Sequence, residues 1–143
     1  MREIKEYILE HISIIEKVVS NLDTKHYFTN DYESKLLCDE YNLDAIVLRL
    51  DDKFHNNLDY ISIDIIKAKR RNKGYGTKFL NDLCRYADNN NKILTLTPVE
   101  YFNVDKSTLI EFYKKFGFVH ITKRDIHTKN TMIRYPKNNS TNR

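Results

Sequence analysis

Tryptophan is absent from this chain of 143 residues, and cysteine occurs only twice. Cys38 and Cys84 stand among apolar residues and lack the C-x-x-C spacing of a metal knuckle or redox pair. They read as buried, reduced thiols and point to a cytoplasmic protein. No apolar run approaches the roughly 20 residues of a membrane span. The N-terminus also lacks the basic start, apolar block and small-residue cleavage site of a secretory signal, so no membrane partner is expected. The histidines (His11, His26, His55, His120 and His127) show no metal-ligand spacing, and no metal is expected either. Charge of one sign is not in large excess. A formal net charge of +4 favours anionic ligands locally and is too small to argue for nucleic acid.

What is present is a globular composition. Hydrophobic residues make up 41% and charged ones 31%, enough apolar surface for one core and too much for a disordered chain. A single domain over 1–143 is expected, without repeat or linker, ending in a polar tail over 137–143 that frays. Ile4, Ile8, Ile12, Ile15, Val19 and Leu22 recur every three or four residues, which predicts an amphipathic helix from Arg2 to Leu22. Its polar face mixes Glu3, Glu6, Glu10 and Glu16 with Lys5 and Lys17, which argues for packing on the domain's own sheet. For Asp31 to Tyr41 two readings stand: a helix with Asn30 and Glu33 as a capping box, or an edge strand through Lys35–Cys38. Ala45–Leu50 and Leu58–Ile66 read as strands of an antiparallel hairpin, joined by a turn over Asp51–Asn57. Phe79, Leu80, Leu83, Cys84 and Ala87 mark a helix from about Thr77 to Asp88. Ile93–Thr97 is a strand that Pro98 ends, because proline cannot donate to a sheet ladder. Glu100–Asp105 reads as a loop. Leu109, Phe112, Tyr113 and Phe116 then mark a short helix with Gly117 as its C-terminal cap. Phe118–Ile121 and Thr131–Tyr135 form a last strand pair, joined by a basic loop over Lys123–Asn130.

Between the Leu58–Ile66 strand and the following helix lies R-N-K-G-Y-G-T, Arg71 to Thr77. A strand, a short basic turn with two glycines and then a helix presents free backbone N–H groups to an anion. Gly74 and Gly76 let the main chain bend and approach a phosphate, and Lys69, Arg70, Arg71 and Lys73 add positive charge. The arrangement predicts a pyrophosphate cradle. A Walker A loop is excluded, since no G-x-x-x-x-G-K-[ST] occurs. The dinucleotide fingerprint is excluded too, since Phe79 stands where its third glycine would be.

The remaining pattern, R-x-x-G-x-G at Arg71–Gly76, resembles the coenzyme A loop of the GNAT superfamily of N-acetyltransferases. A second pattern strengthens the resemblance: F-Y-K-K-F-G-F at Phe112–Phe118 is similar to the family's L-Y-x-K-x-G-F, at the separation the family shows. Ala87–Asp88, L-T-P at Leu96–Pro98 and M-I-R-Y-P at Met132–Pro136 also look like small bacterial and phage members. The match covers about residues 45 to 136, and the segment before Ala45 carries no family motif.

The resemblance implies an α/β fold, a twisted, mixed but mainly antiparallel sheet flanked by helices. It implies acetyl-CoA as cosubstrate and transfer of its acetyl group to a primary amine of a protein or small molecule. Backbone groups of Ile65, Ile66 and Lys67 would grip the pantetheine arm, with the Ile66 N–H on the thioester carbonyl. Arg71, Asn72, Lys73, Gly74, Tyr75, Gly76 and Thr77 would hold the pyrophosphate, or Arg71 would instead reach the 3′-phosphate. Tyr113 corresponds to the tyrosine that protonates or hydrogen-bonds the departing sulfur; spacing alone favours a core aromatic on an amphipathic helix, and the flanking pattern is what points to the functional role. For the base, Asp64, Glu100 and water stay open. A non-catalytic coenzyme A sensor or protein-interaction module on the same fold is the alternative, and a homodimer is left open.

Overall fold

The computed structural model describes residues 15, 38–54, 58–68, 74–99, 104–122 and 128–137. Its elements are β1 (Leu43–Phe54), β2 (Leu58–Ala68), α1 (Tyr75–Asn89), β3 (Ile93–Leu96), α2 (Lys106–Lys114), β4 (Val119–His120) and β5 (Met132–Arg134). The strands form one sheet in the order β1-β2-β3-β5-β4. Among the described strands only β2 and β3 run parallel; β1 with β2, β3 with β5 and β4 with β5 are antiparallel. This is the mixed, mainly antiparallel α/β architecture expected. The parallel pair follows from α1, because a helix is the connection that returns a strand to its neighbour in the same direction.

Strand alternation sorts the faces. Ile46 and Leu48 of β1, Ile61 and Ile63 of β2, Leu94 and Leu96 of β3 and Met132 of β5 turn to one side. There they meet Phe79, Leu80, Leu83, Cys84 and Ala87 of α1, all buried. Each such Leu, Ile or Phe adds about 1.5–3 kcal/mol by leaving water. The opposite side holds a smaller cluster of Tyr60, Ile93 and Ile133, with Ile121 against it. Ser62 and Thr95, fully buried polar residues, continue that side toward the strand ends.

Several boundaries differ from expectation. The D-D-K run does not turn: β1 continues through it to Phe54, which pairs with Leu58, and Asp51 pairs with Tyr60. Antiparallel register to β2 overrides the turn propensity of two aspartates. The connection therefore falls on 55–57, outside the described residues. Helix α1 begins at Tyr75 and α2 at Lys106, each earlier than apolar spacing indicates: the first turn of α2 is exposed, and that of α1 places only Tyr75, partly buried, against the core. The last two strands are shorter than expected. Cys38 lies in a helical turn over 38–41, which favours the helix over the edge strand at that position. Ile15 is helical and fully buried in the main core; the rest of the expected Arg2–Leu22 helix lies outside the described residues.

Candidate active site

Strand β2 leaves β3 abruptly. Their parallel register runs from Tyr60–Ile93 to Ile63–Leu96 and stops there, while β2 continues to Ala68 paired on its other edge with β1. β3 ends at Leu96, and β2 carries an extra residue at the same level. Leu48 pairs with Ile63 and Val47 with Ile65, so Asp64 is a β-bulge. A bulge bends its strand and reverses the alternation beyond it. Ile61 and Ile63 point into the main core before Asp64, and Ile66 packs against it afterwards. Ile65 and Ile66 stand opposite Val47 and Ile46, and Lys67 opposite Ala45. Peptide groups alternate between the two edges of a strand, so this stretch offers backbone polar groups on the edge that β3 has left.

The open edge leads into the start of α1. Residues 69–73, and with them Arg71, Asn72 and Lys73 of the expected cradle, lie outside the described residues. Gly74 is the N-cap with φ 78° and ψ 10°, a left-handed conformation that glycine adopts at least cost. A Cβ there would touch nothing within 4 Å, so the angle and not space demands glycine. Lys78 N–H donates to Gly74 O at 3.0 Å, closing the first helical turn. No side chain caps the helix and its first turn holds no acid. Among the described residues, nothing accepts from the N–H groups of Tyr75, Gly76 and Thr77. Helix α2 is the contrast. Asp105 caps it, accepting from Thr108 N–H and Ser107 Oγ at 2.8 and 2.9 Å, and the Thr108 bonds hold the Asp105 carboxyl below its usual range. One helix end is closed and the other is open.

Gly76 faces α2. A Cβ on it would lie 3.9 Å from Phe112 Cζ, an ordinary contact. Packing therefore does not require this glycine, although glycine inside a helix costs about 1 kcal/mol against alanine. An open groove of about 380 Å³ borders the same Phe112, lined also by Ser107, Thr108, Glu111 and Lys115.

Tyr113 sits at the other end of α2. Gly117 N–H donates to Lys114 O at 3.0 Å and Phe118 N–H to Tyr113 O at 3.4 Å, with Gly117 at φ 97°. This is a Schellman closure, whose customary apolar contact is the Tyr113 ring against Phe118, 5.8 Å between centroids. Burial pushes the hydroxyl up to about 12. Among the described residues the hydroxyl has no hydrogen-bond partner.

Asp64 is not an isolated carboxylate. Arg49 Nε donates to Oδ2 at 3.1 Å and Ser62 Oγ to Oδ1 at 2.6 Å, while Arg49 Nη2 reaches Ser62 Oγ at 3.2 Å. Glu100, the other acid considered as base, lies outside the described residues. Sequence reasoning missed three members of this network: Arg49, Ser62 and Asn130, the last of which donates to Ser62 Oγ at 2.8 Å. Nothing in the local pattern marks them. A second missed pair had a signal. Ala87–Asp88 and M-I-R-Y-P were legible as motifs without a role. In the structure Arg134, 3% exposed, makes a bidentate bond to Asp88 at 2.8 and 3.0 Å and donates to Phe116 O at 2.6 Å. Burial, the largest single influence, opposes the Arg134 charge, but the Asp88 hydrogen bond and the charges of Cys84 and Asp88 together outweigh it and hold its pKa raised. Among the described residues no His, Cys, Asp or Glu side chains gather as metal ligands, and no helix is long and apolar enough to cross a membrane.

No protein-family model matches the chain, and no curated protein matches it. Solved structures do. The anti-CRISPR protein AcrVA5 is 17% identical with a TM-score of 0.46, over 62% of this chain and 85% of its own. The NatC complex bound to Gag peptide and CoA contains a chain 15% identical, TM-score 0.48, over 90% and 92%. Arabidopsis thaliana Naa50 in complex with a bisubstrate analogue, CoA-Ac-MVNAL, is 20% identical, TM-score 0.44, over 88% and 89%. Identities and scores this low assign no residue a role. By the strand order of its described residues, the parallel pair β2–β3 that parts beside a bulge and the helix that follows β2, the chain has a GNAT-like fold.

Proposed function

We propose that this protein is an acetyl-CoA-dependent N-acetyltransferase acting on a primary amine. One observation carries the reading: β2 parts from β3 beside the Asp64 bulge, and the next helix, α1, has first N–H groups that nothing among the described residues caps. A long ligand with an anionic end fits that combination. Its pyrophosphate takes the N–H groups of Gly74 to Thr77, together with Arg71, Asn72 and Lys73. Its pantetheine arm lies along Ile65, Ile66 and Lys67, where a backbone N–H, that of Ile66, donates to the thioester carbonyl. The acceptor nitrogen attacks the carbonyl carbon and the C–S bond breaks. The Tyr113 hydroxyl then gives its proton to the departing sulfur. The amine proton passes to Asp64, whose Oδ2 accepts only from Arg49 Nε among the described residues, or through water to solvent.

Calorimetric titration with coenzyme A, ATP and NAD tests the binding half. Coenzyme A alone should bind; ATP or NAD binding with no response to coenzyme A overturns the reading. A second reading, a coenzyme A-binding module without catalysis, has one observation in its favour: the Tyr113 ring already has a packing role against Phe118. Transfer of label from acetyl-CoA to an amine in a cell extract separates the two.

A further inference from the structure

The parallel pair is held from outside at its last rungs. Ser62 and Thr95 are register partners, one step before the final pair Ile63–Leu96. Asn130, on the segment entering β5, sets its side-chain amide between them. Nδ2 donates to Ser62 Oγ and to Thr95 Oγ1, each at 2.8 Å, and Oδ1 accepts from Thr97 Oγ1 at 2.8 Å. The N–H of Thr131 then donates to Leu96 O and to Thr97 Oγ1, both at 3.2 Å. Both amide protons and the amide oxygen are engaged, so the group has one orientation; neither a carboxylate nor a hydroxyl could donate to both strands. Ser62 Oγ passes the constraint on to Oδ1 of Asp64, the bulge residue.

We propose that Asn130 is a positioning residue for the thioester slot, fixing through Ser62 and Thr95 the point at which β2 and β3 part. The proposal rests on the reading of this opening as a coenzyme A site. Asn130 acts on the fork and not on the first turn of α1. Its loss should therefore weaken the grip on the pantetheine arm and spare the grip on the nucleotide.

The test titrates the wild type, Asn130→Ala and Asn130→Asp with coenzyme A and with adenosine 3′-phosphate 5′-diphosphate, which keeps the pyrophosphate and lacks the arm. Asn130→Asp is isosteric, still accepts from Thr97 and loses both donors, so it decides the matter if Asn130→Ala fails to fold. Coenzyme A affinity should fall about tenfold in either variant, the loss expected for one or two hydrogen bonds, with the truncated nucleotide within about twofold of wild type. Unchanged coenzyme A affinity, or an equal fall for both ligands, overturns the proposal. If wild type binds both ligands equally well, the cradle stands and the slot proposal fails. If wild type binds neither, the coenzyme A reading itself fails and takes the proposal with it.

Discussion

Tyr113 has one reason for its ring and another for its hydroxyl. The ring closes the end of α2 against Phe118, and phenylalanine would do that equally well. The hydroxyl is desolvated, without a hydrogen-bond partner among the described residues, and held protonated by a pKa of about 12. Tyr113→Phe should lower turnover by something on the order of 100-fold, the lower end for a positioned general acid. Coenzyme A affinity, measured by calorimetry, should barely move. Full turnover with a verified acceptor would leave Tyr113 as a core aromatic.

The two helices open differently, and the difference predicts how they respond to substitution. Asp105 satisfies the start of α2, whereas α1 begins at Gly74 with neither a side-chain cap nor an acid in its first turn. An acid at that place would suit the helix dipole and the free N–H groups, so its absence is informative. Gly76→Asp should keep the fold, by circular dichroism, and abolish coenzyme A binding, because the carboxylate takes the donors meant for pyrophosphate and repels it. Gly76→Ala separates the two demands. Its Cβ meets only Phe112 Cζ at 3.9 Å, so the melting temperature should hold or rise slightly, the helix-propensity gain being at most about 1 kcal/mol. Its coenzyme A affinity should fall where a phosphate has to approach the backbone.

Across the whole molecule, Arg134 ties three elements together: it stands on β5, binds Asp88 near the end of α1, and donates to Phe116 O just past α2. Lys137 N–H adds a further bond to Asp88 at 2.8 Å. Arg134→Leu strands a carboxylate whose side chain is only 13% exposed and should cost about 3–5 kcal/mol in denaturant unfolding. Asp88→Leu added to it should recover part of that loss, since no buried charge then stands alone. Alkaline pH offers a second global test. The Tyr113 pKa rises from 10.0 to about 12 and that of Cys84 from 9.0 to about 11, both chiefly by burial. Between the ordinary and the raised values the unfolded chain has lost protons that the folded chain keeps, so stability falls as pH rises. Denaturant midpoints should decline from about pH 9 to 12, and Tyr113→Phe should flatten the part above about pH 10.

The sequence by itself determined what depends on neighbours along the chain. The β-branched run of β2, the helical spacing of α1 and α2 and the glycines at the start of α1 and past the end of α2 are all local properties. Each was legible before any contact was known. Boundaries were less so, because first turns place few residues in the core and because pairing with β2 carried a polar D-D-K run into β1. Only the tertiary structure decided that a bulge stands where β2 and β3 part. The Asp64 bulge exists as a mismatch of register between two strands and has no signature in either alone. The Asn130 amide joins Ser62, Thr95 and Thr97, which lie 68, 35 and 33 residues away, and Arg134 finds Asp88 at 46. Hydrogen bonds of that span come from the packing of the sheet, which brings together polar groups that no local pattern connects.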